Sequence, residues 1–155
     1  MERQVRIGAG ACALLALVAF APTAQATSVL LQDGNSSALV VLAPDTNNPA
    51  PGVVDWTVNG QDYLVQQWFY YRIAGQDSEQ PLNALGLISG SVFMDTSFVS
   101  AKYGSPRGLV AQVGFVLSGG GTSGSLSDMV EMVILSNYSP DPVTIELFQY
   151  CDLNL

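Results

Sequence analysis

Apolar and polar residues alternate along much of this chain. In the clearest segment, 109–117, the apolar odd positions are Leu109, Ala111, Val113, Phe115 and Leu117. A period of two places these side chains on one face of a β-strand. Glycine and proline separate this segment from others that are rich in Val, Ile, Leu, Phe and Tyr. Short alternating segments bounded in this way predict an all-β fold.

The strongest turn signal is the Asn-Gly dipeptide at 59–60, which lies between two apolar segments. This dipeptide favours a two-residue hairpin turn, because both of its residues accept a positive φ. Counting outward from the turn places Tyr63 opposite Trp56 and Val65 opposite Val54. The pattern predicts a tight hairpin stabilised by aromatic and β-branched cross-strand pairs.

Two further segments, 126–135 and 143–155, carry weaker patterns. In the first, helical and alternating spacings compete, and its β-branched residues favour a strand that forms a hairpin with the second segment. In the second, alternate positions are apolar, Cys151 among them, and Gln149 interrupts the pattern. We predict a half-buried strand with a bulge near Gln149, and Cys151 as a small core residue.

The first 26 residues have the form of an export signal. Arg3 and Arg6 precede a mostly apolar run, which is followed by Pro22 and by Ala-Gln-Ala at 24–26. The run is shorter than the roughly 20 residues that a membrane-spanning helix needs. We therefore predict a signal peptide over 1–26 and a single secreted domain, without a membrane span, over 27–155.

Composition and charge exclude several classes of function. The chain has 155 residues, of which 12% are charged, and a formal net charge of -8, which would repel nucleic acids. It contains no histidine, the commonest general base and metal ligand. Cys12 lies in the predicted signal, so the mature chain keeps only Cys151 and no internal disulfide. We predict no enzymatic activity and no cofactor or metal.

Three pairs of carboxylates are candidates for a metal site or for acid and base in glycoside cleavage. They are Asp55 with Asp62, Asp77 with Glu79, and Asp128 with Glu131. None shows the dense oxygen-ligand spacing of a calcium loop, so solvated surface residues are the preferred interpretation. A glycoside hydrolase that uses one such pair ranks last among the functions considered.

The aromatic run Trp68-Phe69-Tyr70-Tyr71 is the most unusual stretch. Alternation sends Trp68 and Tyr70 to one face of a strand and the other two rings to the opposite face. The preferred interpretation is a central strand with core on one face and loops over the other. The functional alternative is a platform on which Trp68 and Tyr70 contact a carbohydrate or protein ligand.

Three segments carry a resemblance to a known group: DWTVNG at 55–60, QQWFYYR at 66–72 and FQYCDLNL at 148–155. They resemble stretches of secreted bacterial proteins with a C-terminal exosortase sorting tail of the PEP-CTERM type. The resemblance covers most of the predicted mature chain and implies an exported, β-rich protein of the envelope or extracellular matrix, without catalytic residues.

One departure from that group concerns the C-terminus. The resemblance implies that further β-structure, a Pro-Glu-Pro signal, an apolar helix and a basic end follow the segment 148–155, whereas the given sequence stops at Leu155. We expect either a C-terminally truncated product or a short relative without an anchor. A final apolar strand without a neighbour also predicts self-association through this C-terminal edge strand.

The sequence therefore predicts an antiparallel β-sandwich, Ig-like or jelly-roll in style, that follows a cleaved signal peptide. The predicted function is a secreted, non-catalytic structural or adhesive module that contacts envelope or matrix polysaccharide or protein. The alternative is a carbohydrate-binding module with an aromatic strip around Trp68 and Tyr70.

Overall fold

The structure is a computed structural model that describes residues 27–121, 124 and 126–154. The predicted signal peptide at 1–26 lies outside the described residues. Two antiparallel sheets pack face to face around one core, which confirms the predicted β-sandwich.

The first sheet contains, in spatial order, β1 (Thr27–Asp33), β2 (Ser36–Ala43), β3 (Gly52–Val58), β4 (Gln61–Ile73) and β10 (Ile145–Leu153). The short β5 (Gln80–Pro81) also pairs with β4, and a 3-10 helix follows it (Leu82–Leu85). The second sheet has the order β6 (Phe93–Met94), β7 (Phe98–Gly104), β8 (Leu109–Gly119) and β9 (Ser127–Asn137). Strands of each sheet follow one another along the chain, until β10 returns from the second sheet to pair with β4.

The alternating segment 109–117 lies in β8, one of the two inner strands of the second sheet. Ala111, Val113, Phe115 and Leu117 are buried, and Leu109 packs against the core at its margin. All five residues predicted for the core therefore lie on the face of β8 that packs against the first sheet, as alternation along a strand requires.

The hairpin at 59–60 is confirmed, and both turn residues have positive φ, 53° at Asn59 and 78° at Gly60. The predicted register beyond the turn is wrong. A register shift between Trp56 and Thr57 places Trp56 opposite Leu64 instead of Tyr63, and the predicted pair of Val54 with Val65 is displaced in the same way.

The cause lies in β4, where Leu64 faces Trp56 and Asp62 faces Thr57, so Tyr63 has no counterpart in β3. On its other edge Asp152 lies opposite Gln66, and Leu153 lies opposite Leu64, so Val65 has no counterpart in β10. A bulge of this kind reverses the inward and outward positions of a strand, and it explains why Leu64 and Gln67 are both buried. The bulge predicted near Gln149 is therefore wrong, since the irregularity lies near Val65 of the neighbouring strand.

The segments 126–135 and 143–155 both contribute strands, β9 and β10, but the predicted hairpin between them is wrong. β9 pairs with β8 and β10 pairs with β4, so the two strands belong to different sheets. Cys151 is exposed, which also contradicts the prediction that it lies in the core. The reason is that β10 is the last strand of its sheet and extends beyond the cover that the second sheet provides.

In the part of the chain that the structure describes, no helix is long and apolar enough to cross a membrane.

Candidate functional site

The aromatic run lies in β4 between β3 and β10, and most of it belongs to the core. Trp68 is 1% exposed, and its ring centroid lies 6.0 Å from that of Tyr103 and 6.3 Å from that of Phe115. The Trp68 indole N–H donates a hydrogen bond of 3.1 Å to Asn83 Oδ1 in the 3-10 helix. A ring held in this way contributes to packing and offers little surface to a ligand.

A shallow groove of about 270 Å³ lies beside the β4–β10 pair. Its lining residues are Gln66, Trp68, Tyr70, Tyr150, Cys151 and Asp152. The rings of Tyr70 and Tyr150 meet edge to face at a centroid distance of 5.0 Å and an angle of 88°. Tyr150 is 51% exposed whereas Tyr70 is half-buried, so Tyr150 supplies most of the accessible aromatic surface here.

Hydrogen bonds and charges surround this groove. The Tyr150 hydroxyl donates to Glu79 Oε1 at 2.9 Å. A backbone hydrogen bond and then this hydroxyl lower the pKa of Glu79, while the same bond to Glu79 is the main cause that raises the pKa of Tyr150. Arg72 forms an ion pair with Glu146, in which Nε of Arg72 lies 2.7 Å from Oε2 of Glu146. The guanidinium of Arg72 also lies 5.4 Å from the ring centroid of Phe148. The groove is thus aromatic, with a predominantly acidic margin.

A polar cluster joins β9 to the first sheet. Glu131 of β9 reaches the first sheet, where its Oε2 accepts hydrogen bonds from Gln67 Nε2 at 3.2 Å and from Gln149 Nε2 at 2.6 Å. Burial raises the pKa of Glu131, and the bond from Gln149 opposes that rise. The buried Oε1 of Gln67 has no hydrogen-bond partner within the described residues.

The thiol of Cys151 lies in the same neighbourhood. Burial first, and then the negative charges of Glu131 and Asp152, raise its pKa. Because the thiolate is the reactive form of cysteine, such surroundings make Cys151 a weak nucleophile at neutral pH.

Of the three candidate carboxylate pairs, the structure brings one pair into interaction and separates the members of the other two. Burial and then the charge of Asp62 raise the pKa of Asp55, so these two groups interact. Asp62 also accepts hydrogen bonds from the Leu64 backbone and the Asn154 amide, both at 3.1 Å. In the pair Asp77 and Glu79, Glu79 accepts a hydrogen bond from Tyr150. In the pair Asp128 and Glu131, Glu131 faces the first sheet whereas Asp128 is exposed to solvent. Across the described ranges, no group of three or more His, Cys, Asp or Glu residues could hold a metal ion.

The two sides of the sandwich, where the edge strands of the sheets lie, differ in how the sheets are hydrogen-bonded to each other. On the side that we call the closed side, backbone and side-chain bonds connect β1 and the β1–β2 turn to the second sheet. The Gln32 N–H donates to Thr96 O at 2.7 Å, Asn35 N–H to Gly120 O at 3.2 Å, and Gly119 N–H to Asp33 Oδ2 at 2.9 Å.

On the opposite side, which we call the open side, β9 and β10 are the last strands of their sheets. Within residues 27–121, 124 and 126–154, β9 pairs only with β8 and β10 only with β4, so each presents a backbone edge that no described strand occupies. Glu131 of β9 accepts one hydrogen bond from Gln149 of β10. Sequence reasoning missed this cluster, because its members are distant in the chain.

Comparisons of the chain with protein-family models, with curated proteins and with solved structures found no match. The resemblance to PEP-CTERM proteins therefore stays a prediction, and so does a ligand role for Trp68 and Tyr70.

Proposed function

We propose that this protein is a secreted, non-catalytic structural or adhesive module of the bacterial envelope or extracellular matrix. The observation that carries the proposal is the open side, where β9 and β10 have two long backbone edges that no strand of the described part of the chain occupies. A free edge can pair with a strand of another chain, and main-chain hydrogen bonds then supply affinity. Adhesion through such an edge requires no catalytic group.

The chemistry of the polar residues supports a non-catalytic role. The chain has no histidine to activate a nucleophile, and the pKa of the Cys151 thiol is raised. Asp62, which interacts with Asp55, is engaged in hydrogen bonds that hold the β3–β4 hairpin and the end of β10. These groups stabilise the fold where a hydrolase would need them free for substrate.

Cell fractionation with a deletion strain of the native host tests this function. We expect the protein in the envelope or matrix fraction, with an N-terminus at Thr27, and weaker cell-to-cell or surface attachment after deletion. Complementation with the wild-type gene should restore attachment. A cytoplasmic protein, or a deletion that leaves attachment unchanged, would refute the proposal.

A second candidate function is carbohydrate binding, which the groove beside Tyr70 and Tyr150 favours. Tyr150 offers an exposed ring, and Gln66 and Asp152 place an amide and a carboxylate next to it. Stacking on an aromatic ring together with planar polar groups is suited to a sugar. The acidic surroundings favour a neutral saccharide over an anionic one.

Titration with neutral oligosaccharides tests this candidate. Tyr150→Ala should weaken binding by about tenfold, the value of one aromatic contact. Tyr138→Ala is the matched control, because Tyr138 is also exposed but lies outside the groove. Equal losses in both variants, or no binding by the wild type, would exclude a saccharide site at this groove.

A further inference from the structure

We propose that β10 pairs antiparallel with β10 of a second copy of this chain, across a two-fold axis at Gln149. The pairing would join the two first sheets edge to edge. This inference rests on the proposed function, because it assigns a partner to one of the edges that carry it.

The first argument is the condition of the β10 edge. β10 pairs with β4 from Ile145, opposite Ile73, to Leu153, opposite Leu64, and the extra residue of this pair belongs to β4. β10 itself is therefore regular over nine residues. Its sequence, IELFQYCDL, contains no lysine or proline, the residues that commonly protect an edge.

The second argument is a contrast with the other end of the same sheet. At β1, the N–H of Gln32 is occupied by the carbonyl of Thr96 from the second sheet. Among the described residues, no such backbone bond reaches β10 from the second sheet. Of the two ends of this sheet, β10 is the one left available for a further strand.

The third argument is self-complementarity. In an antiparallel pair with a two-fold axis normal to the sheet, residues that lie opposite each other are an even number of positions apart in the sequence. An axis at Gln149 gives each of the nine residues of β10 a partner in the second copy. It brings Ile145 opposite Leu153, Leu147 opposite Cys151 and Phe148 opposite Tyr150 of the second copy. Leu147, Tyr150 and Leu153 are exposed in the single chain and would gain apolar or aromatic neighbours.

Electrostatics provides one opposing contribution. The same register places Glu146 opposite Asp152 of the second copy, although Arg72 already pairs with Glu146. The chain also carries a net charge of -8, so two copies repel each other at long range. Salt screens such repulsion, and we expect the dimer dissociation constant to fall as NaCl is raised.

Sedimentation equilibrium with three matched variants tests the edge. Leu147→Lys adds a charge to β10 and should raise the dimer dissociation constant about tenfold or more. Leu30→Lys alters the covered β1 edge, and Met132→Lys alters β9; both residues are exposed, as Leu147 is, and both variants should dimerise like the wild type. Thermal unfolding of each variant confirms that it is folded.

Disulfide trapping tests the register. In a chain without its native cysteines (Cys12→Ser, Cys151→Ser), Gln149→Cys places two thiols opposite each other at the axis, within the Cα separation that a disulfide accepts. Oxidised glutathione should convert it to a covalent dimer and leave glutathione reduced. Leu147→Cys in the same background is the control, because its two thiols would be offset by four residues and should stay uncrosslinked.

The outcomes separate this inference from the proposed function. A wild-type monomer, a Leu147→Lys variant that still dimerises, or equal trapping at both positions would overturn β10 pairing. Each of these results leaves an adhesive role through another partner to be judged by fractionation and deletion. Loss of attachment on deletion, combined with a monomeric protein, would point to an adhesive module with a different partner.

Discussion

The closed and open sides of this sandwich are stabilised in different ways. On the closed side, main-chain groups of the two sheets bond each other directly, as Gln32 does with Thr96. On the open side, a single carboxylate, Glu131, accepts both glutamine amides that reach it from the first sheet. Main-chain bonds between sheets hold two edges in a fixed arrangement, whereas a side-chain bridge leaves the edges themselves accessible. It follows that main-chain hydrogen bonds hold the two sheets together at β1, and that the edges at which a further strand could pair are those of β9 and β10.

The largest effect is expected from a substitution that forces the closed side apart. A β-carbon at Gly119 would overlap the carbonyl oxygen of Asp33, which belongs to backbone and cannot rotate away. Gly119→Ala should therefore lower the free energy of unfolding by about 2–3 kcal/mol, as overpacking does. Urea unfolding measures the change. Gly121→Ala is the control, since a β-carbon there meets nothing within 4 Å, and an equal loss in both variants would contradict the close approach.

A smaller loss is expected when the closed side loses one hydrogen bond. Asp33→Ala removes the acceptor for the Gly119 N–H and should lower the free energy of unfolding by about 1 kcal/mol. Asp33→Asn keeps an acceptor oxygen and should recover most of that loss. If both variants unfold like the wild type, the bond between Asp33 and Gly119 does not secure this side.

The open side should respond to removal of a carboxylate in the opposite direction. Glu131→Gln keeps an oxygen for the Gln67 and Gln149 amides and removes a charge that burial disfavours. We expect the free energy of unfolding at pH 7 to rise by about 0.5 kcal/mol, a small value because the group is partly solvated. A clear decrease would show that the charge itself stabilises the contact between the sheets.

The pH dependence of that difference follows from the raised pKa of Glu131. Folded protein holds this proton at a higher pH than unfolded protein, for which the reference value is 4.5. The stability contributed by the proton is therefore complete below that value and is lost as the pH rises through the folded pKa. Unfolding of the wild type and Glu131→Gln should differ least near pH 4 and most near pH 7. A difference that stays constant over this range would contradict the raised pKa.

The smallest effect is expected at the exposed ion pair of the open side. Arg72 and Glu146 are both substantially solvated, and exposed pairs contribute at most about 0.5 kcal/mol. Glu146→Gln should change the free energy of unfolding by no more than this in the monomer, and the change should vanish in high salt. A loss several times larger would mean that Arg72 supports the Phe148 ring through this pair.

Local patterns were sufficient to predict β8 with its buried face, and the turn between β3 and β4. The alternation over 109–117 predicted the buried face of β8, and the Asn-Gly dipeptide at 59–60 predicted the positive φ angles of its turn. Both are properties of a few consecutive residues, because the pleat and the turn are set by backbone geometry. The two-layer arrangement followed from the number of such strands.

The tertiary structure decided which strands meet, in which register, and which side of the sandwich stays open. One extra residue at Tyr63 shifted the register of the β3–β4 hairpin, and the return of β10 to β4 placed Cys151 at a sheet edge instead of in the core. The partners of Glu131 are likewise distant in the chain. Period-two spacing determines which face of a strand is buried, but it does not determine which strand lies beside it. The neighbours depend on how well the two whole layers pack against each other.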